Sequence, residues 1–168
     1  DGDTRFSYSE LRDRAARLAT GLEREGLRRS ERLAAVVRCR NESVQLYWAC
    51  QWLGATFVPL SPRASPADLA YCREDSGAML FLDAEVELEP LFGEPHPGAL
   101  DAADRDESLM LYTSGTTGRP KGVPRSHRAD RAGGLSQVVH QSSRSGDRTL
   151  GAMPLYHTMG MHSLLAMH

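Results

Sequence analysis

An α/β fold built on a mostly parallel sheet with flanking helices is the expectation for this 168-residue chain. Three observations lead there. Short apolar runs at 33–37, 56–60 and 78–82 lack the polar/apolar alternation of a half-exposed strand, as strands covered on both faces do. Segments with helical spacing lie between them, and the strand-to-strand distance leaves room for helices of about ten residues, as βαβ units require. Composition agrees: 40% hydrophobic and 25% charged residues belong to an ordinary globular domain, and a chain of this length can bury a core without disulfides or metal.

Ser7-Tyr8-Ser9-Glu10 has the form of a capping box, and Leu11, Ala15, Leu18 and Leu22 follow at helical spacing until Gly26. Leu33–Val37 reads as the first strand. Asn41–Leu53 reads as a helix stopped by Gly54, and Thr56–Leu60 as a strand running into a Ser61-Pro62 turn. Ser65 before Pro66 is an N-cap with proline at the first helical position, starting a helix to about Glu74. Ala78–Leu82 is the third strand. From Asp83 to Glu107 nine acidic residues, three prolines and two glycines read as a solvated surface linker. Ser108–Tyr112 is a strand again, Arg128–Val139 a helix weakened by Gly133-Gly134, Arg148–Met153 a further strand, and Thr158 onward the start of a helix.

Net charge is −2 and arginine is scattered, so nucleic acid is excluded as a partner class in favour of a small molecule. Cys39, Cys50 and Cys72 show no CxxC spacing and read as buried, reduced thiols. No apolar run approaches the roughly eighteen residues of a membrane span, and Asp1-Gly2-Asp3 is unlike a signal peptide, so the expected location is the cytoplasm.

The chemistry concentrates in Tyr112-Thr113-Ser114-Gly115-Thr116-Thr117-Gly118-Arg119-Pro120-Lys121-Gly122. A polyphosphate needs several donors converging on one point. Glycines at 115, 118 and 122 let backbone N–H groups approach, while Thr113, Ser114, Thr116 and Thr117 add hydroxyls and Lys121 a cation. The spacing is not that of a Walker A loop, which ends in Gly-Lys-Ser/Thr. Arg119, at the variable position, is expected to face solvent. The remaining histidines carry less: His127 is either a border of the nucleotide pocket or a helix-start residue, and His140, His162 and His168 have no metal-ligand spacing, so no structural zinc is expected. Tyr47, Trp48 and Trp52 read as core scaffold.

This loop resembles the signature of the AMP-binding, adenylate-forming superfamily, which contains acyl-CoA synthetases, aryl-CoA ligases, luciferases and the adenylation domains of peptide synthetases. Leu53–Pro62 and Asp75-Ser76-Gly77-Ala78 resemble two upstream elements that are structural in that family. Met153–Gly160 resembles its Pro-x-x-His-x-x-Gly element, whose histidine lies by the carboxylate and adenylate pocket. The resemblance implies ATP-dependent activation of a small carboxylic acid, followed by transfer to a thiol such as that of CoA. It implies that Thr113, Ser114, Gly115, Thr116, Thr117, Gly118 and Lys121 hold the β- and γ-phosphates, that Mg²⁺ sits beside them near Thr117, and that His157 orients the carboxylate. A histidine packed at a strand end is the competing reading of His157. The whole of 1–168 resembles the N-terminal part of the family, without the later ribose and Mg²⁺ elements or the small C-terminal domain. A chain unable to complete catalysis alone is therefore expected. Acyl-CoA ligation is preferred to amino-acid adenylation; a nucleotide-binding remnant, or a split subunit associating through exposed apolar surface, are the other readings.

Overall fold

The computed structural model describes residues 4–83, 86–98, 101–113 and 119–166. The chain runs α1 (Tyr8–Arg24), β1 (Arg32–Val36), α2 (Asn41–Leu53), β2 (Thr56–Leu60), α3 (Pro66–Asp75) and β3 (Leu80–Leu82). A 3₁₀ turn (Glu89–Leu91) then leads to β4 (Glu107–Thr113), β5 (Lys121–Ser126), α4 (His127–Gln141) and α5 (Thr158–Ala166). One sheet has the order β3-β1-β2-β4-β5, parallel throughout except for the β4–β5 hairpin. This is the expected mostly parallel α/β architecture.

Local sequence accounts for the ends of the helices. The Ser7 hydroxyl accepts from the Glu10 N–H, and the Glu10 carboxylate accepts from the Ser7 N–H at 2.7 Å, which completes the capping box. Gly54 terminates α2 at φ +65°, a left-handed conformation that costs glycine little. Ser65 caps α3 with Pro66 behind it.

Alternation along the strands sorts side chains to two faces. Leu33, Ala35, Phe57, Leu109 and Leu111 pack against Leu18 and Leu22 of α1, Leu46, Cys50 and Leu53 of α2, and Met161 and Leu164 of α5. Ala34, Val36, Val58, Leu60 and Met110 pack against Cys72 and Leu69 of α3 on the other face. Every residue of β2 is buried, the pattern of a strand covered on both sides. Each fully buried leucine contributes roughly 1.5–3 kcal/mol through surface removed from water.

Pro59 occupies an unusual place, within the central strand. The Thr56 N–H donates to the Glu31 carbonyl on the β1 side, so the alternating N–H groups at 57 and 59 point toward β4. Proline supplies none, and the β2–β4 ladder is confined to Phe57↔Leu109.

Three expectations need correction. The 83–107 segment is more than a solvated acidic linker. Leu88 is fully buried, Glu89 pairs with Arg14, Asp106 with Arg29 and Glu107 with Arg32, and the backbone at Gly93 and His96 donates to α1 carbonyls. Arginines distant in sequence pair with three of its carboxylates. Arg148–Met153 is not a strand; Leu150 lies 90% exposed, and no strand pairs with this segment among the described residues. Cys39 is exposed, while Cys50 and Cys72 are buried, and burial pushes the Cys72 thiol up to about 11.

Candidate active site

The strand after the glycine loop, β5, escapes a sequence reading because Lys121–Ser126 carries no apolar pattern. It forms by pairing with β4, and its Pro124 is tolerated because β5 is the sheet edge. Its first residue, Lys121, lies directly across from Thr113, the last residue of β4. The loop between them therefore springs from the carboxyl end of β4, which runs parallel to β2, the end at which open α/β sheets place their ligands.

Thr113 and Lys121 are both exposed. Lys121 is the sole lysine of the sequence, and no ion pair among the described residues uses it. A hydroxyl beside an uncommitted ammonium suits a polyphosphate. The expected ligands Ser114, Gly115, Thr116, Thr117 and Gly118, including the Mg²⁺ position near Thr117, lie outside the described residues. Gly122 has a steric role within the hairpin beside the expected phosphate clearance. A Cβ there would run into the Met110 methyl and approach the Tyr112 ring at 3.2 Å, so its bare backbone makes room for β4 side chains.

Tyr112, thus seated, reaches α3. Its hydroxyl donates to Asp75 Oδ2 at 2.8 Å and lies 3.2 Å from the Cys72 carbonyl oxygen, while the Tyr71 hydroxyl donates to Asp75 Oδ1 at 3.1 Å. Burial first, and the Asp75 carboxylate second, push the Tyr112 phenol far above its ordinary range, so it remains a donor. Arg119 is exposed as expected, but its guanidinium lies over the Tyr71 ring, 5.4 Å from the centroid.

His157 is exposed immediately before α5, its ring 4.7 Å from that of Tyr156. Its N–H donates to the Pro154 carbonyl at 3.0 Å, and its own carbonyl accepts from the Met161 N–H. A Cβ at Gly160 would enter the Pro154 carbonyl, so the glycine of the Pro-x-x-His-x-x-Gly element lets the 154–157 turn fold onto the helix that follows. No hydrogen bond or ring contact among the described residues joins His157 to Thr113 or Lys121.

A second polar cluster lies behind the hairpin. Asp130 of α4, only 2% exposed, accepts from the Ser108 hydroxyl and, at 2.5 Å, from Arg125 Nε. Arg125 also faces His162 Nε2 at 2.8 Å, which makes that nitrogen an acceptor and the imidazole neutral. Burial first, and the Arg125 charge second, lower the His162 pKa. Gly133 is explained by the same ring: a Cβ there would stand 2.7 Å from His162 Cε1. β4, β5, α4 and α5 are thus joined by one network that sequence spacing did not reveal. His127, the first residue of α4, follows β5 away from the loop, and its N–H donates to the Asp106 carbonyl. It is the helix-start residue. Among the described residues no group of three or more His, Cys, Asp or Glu side chains could hold a metal ion, and no helix is long and apolar enough to cross a membrane.

Comparison with known proteins places this geometry. The family model described as AMP-binding enzyme matches residues 1–168. A feruloyl-CoA synthase from an Amycolatopsis species is 33% identical over 177 residues, covering 95% of this chain and 36% of that protein. A 2-succinylbenzoate–CoA ligase from Bacillus licheniformis is 30% identical, covering 97% and 38%. Among solved structures, the o-succinylbenzoate CoA synthetase from Bacillus subtilis in complex with its acyl-adenylate intermediate superposes with a TM-score of 0.86 at 26% identity, over 97% of this chain and 47% of that one. The same enzyme with ATP and magnesium gives 0.85 at 25% identity, over 97% and 48%. The chain spans somewhat over a third of the length of the curated relatives it matches. Loop, sheet and relatives together establish that the chain belongs to the AMP-binding enzyme family, the adenylate-forming superfamily of the acyl- and aryl-CoA ligases.

Proposed function

We propose that this chain supplies the pyrophosphate-gripping part of an ATP-dependent acid–CoA ligase. A carboxylate oxygen of a small acid attacks the α-phosphorus of ATP, the bond from that phosphorus to the β-bridging oxygen breaks, and pyrophosphate leaves. The CoA thiol then attacks the acyl carbon, releases AMP and gives up its proton. The loop from Thr113 to Lys121 holds the β- and γ-phosphates through Thr113, Ser114, Gly115, Thr116, Thr117, Gly118 and Lys121. Fixed donors need no reorganisation as charge develops on the leaving group. Mg²⁺ beside Thr117 neutralises part of that charge when bound. His157 orients the carboxylate from the start of α5.

The observation that carries this reading is the pairing of exposed Thr113 with exposed Lys121 at the carboxyl end of the parallel sheet, at the base of a loop whose sequence is that of the family. The names of the relatives favour an aromatic carboxylic acid, and the cytoplasm, where ATP and CoA occur, is the proposed location. Calorimetric titration with ATP tests the reading. The chain is expected to bind, and Lys121→Ala to weaken binding about tenfold or more; equal affinities would remove the loop from the mechanism. Pyrophosphate exchange with a panel of aryl acids is expected to show no turnover by this chain alone, since the family's catalytic lysine has no counterpart in a sequence whose single lysine lies in the loop.

A second reading, association with a partner chain or a second copy, is favoured by exposed Leu135 and Val139 on α4, Leu150 and Met153 after it, and Met159 on α5. Sedimentation velocity tests it, and a monomer at all concentrations would dismiss self-association.

A further inference from the structure

Asp75 is badly placed for stability alone. It is the last residue of α3, where the negative end of the helix dipole disfavours a carboxylate. Yet both its oxygens are used: Oδ1 accepts from Tyr71 and Oδ2 from Tyr112. Tyr112 is one residue from Thr113, the last described residue before the loop. Tyr71 carries on its ring the guanidinium of Arg119, the first described residue after the loop and two before Lys121. Both ends of the loop are therefore tied to one carboxylate, at one end by a phenol donating directly and at the other by a cation resting on a phenol that donates to the same group.

We infer that Tyr71, Asp75, Tyr112 and Arg119 form a clasp that fixes the two ends of the phosphate loop. These are positioning residues: they act through Thr113 and Lys121 and need not touch the phosphates. Backbone pairing already sets the separation of Thr113 and Lys121, and the clasp restrains the residues beside them, Tyr112 and Arg119. A loop held in place before ligand arrives loses less freedom on binding, so the clasp raises affinity without a new ligand contact. Gly122 belongs to the same device, because a larger residue would displace the Tyr112 ring from its path to Asp75. Arginine suits the exposed end, since its planar guanidinium stacks on an aromatic face where a lysine ammonium does not.

The inference rests on the proposed phosphate-binding role of the loop, and titration with inorganic tripolyphosphate separates the two. The wild-type chain, Lys121→Ala, Asp75→Ala, Asp75→Asn, Tyr71→Phe, Tyr71→Leu, Arg119→Gln and the double variant Tyr71→Leu/Arg119→Gln are compared at a temperature where circular dichroism shows each to be folded. Asp75→Ala is expected to weaken binding about tenfold, Asp75→Asn to recover most of the loss, and Tyr71→Leu to cost more than Tyr71→Phe, which keeps the ring beneath Arg119. In the double variant, losses no greater than those of Tyr71→Leu alone support Arg119 acting through Tyr71. Fully additive losses would make Arg119 a direct phosphate ligand and overturn its place in the clasp. Asp75→Ala and Asp75→Asn binding as tightly as wild type, while Lys121→Ala binds poorly, would overturn the clasp and leave the loop's role standing. Failure of wild type to bind more tightly than Lys121→Ala would overturn both.

Discussion

Replacing Asp130 with alanine removes the centre of the network that joins β4, β5, α4 and α5. Its carboxylate is 2% exposed and serves two donors, the Ser108 hydroxyl and Arg125 Nε. Breaking a fully buried ion pair by deleting one partner costs about 3–5 kcal/mol, and an orphaned buried hydroxyl adds about 1–3 kcal/mol when nothing replaces its partner. Arg125 is one-fifth exposed and can turn its guanidinium toward water, and Ser108 can find a backbone carbonyl, so the sum is discounted heavily. A loss of about 2–4 kcal/mol remains, equivalent to roughly 5–15 °C in melting temperature for a chain of this size. Urea denaturation followed by circular dichroism measures it. Asp130→Leu combined with Arg125→Met removes both charges together and is expected to be at least ~1 kcal/mol more stable than Asp130→Ala. A change below about 0.5 kcal/mol in Asp130→Ala, or no recovery in the double variant, would refute the view that this buried charge pair holds the hairpin to its helices.

Three other perturbations have defined signs. The folded-state pKa of His162 lies below its unfolded value of 6.5, so neutral His162 stabilises the fold fully above that pH and the contribution is lost as pH falls below it toward the folded value; His162→Gln is expected to flatten the fall in melting temperature between pH 7.5 and 5.5, and a slope equal to wild type would contradict the His162–Arg125 contact. Gly160→Ala gains up to ~1 kcal/mol of helix propensity but places a methyl 2.7 Å from the Pro154 carbonyl carbon, so it is expected to lower stability by about 1–2 kcal/mol and to weaken any acyl-adenylate binding that depends on His157. Gly21→Ala, in the middle of α1, would gain the same propensity but meet the Leu91 carbonyl of the 3₁₀ turn, whose carbon lies 2.6 Å away, and a net loss near 1 kcal/mol in calorimetry is the expected result. A more stable Gly21→Ala protein would mean that the acidic segment does not pack on α1 as described.

Legibility in the sequence followed the range of the interactions involved. α2 and β2 begin and end where the sequence places them, and α3 starts at Pro66, because capping, the Gly54 stop and the Ser65-Pro66 start are contacts between residues a few positions apart. β5 was invisible because its stability comes from β4, eight or more residues away. The supposed strand at 148–153 had apolar residues but no partner among the described residues. The charges of the 83–107 segment look solvated until Arg14, Arg29 and Arg32 are brought to them by the fold. At the candidate site, the loop announced itself through glycine and hydroxyl spacing. The tie from Tyr112 to Asp75 spans 37 positions and left no local trace.

Pro59 has a further consequence for how the molecule opens. Where its missing N–H leaves β2 and β4 joined by a single register pair, the sheet has a seam, with β3-β1-β2 on one side and the β4–β5 hairpin on the other. Side-chain packing crosses that line freely, but the backbone ladder across it is a single register pair. In native-state hydrogen exchange the hairpin should therefore open as a cooperative unit of its own, below the free energy of global unfolding. The loop would then sit on the part of the sheet that breathes first, and a bound polyphosphate would register as slowed exchange in β4 and β5 while β1 and β3 remain unchanged.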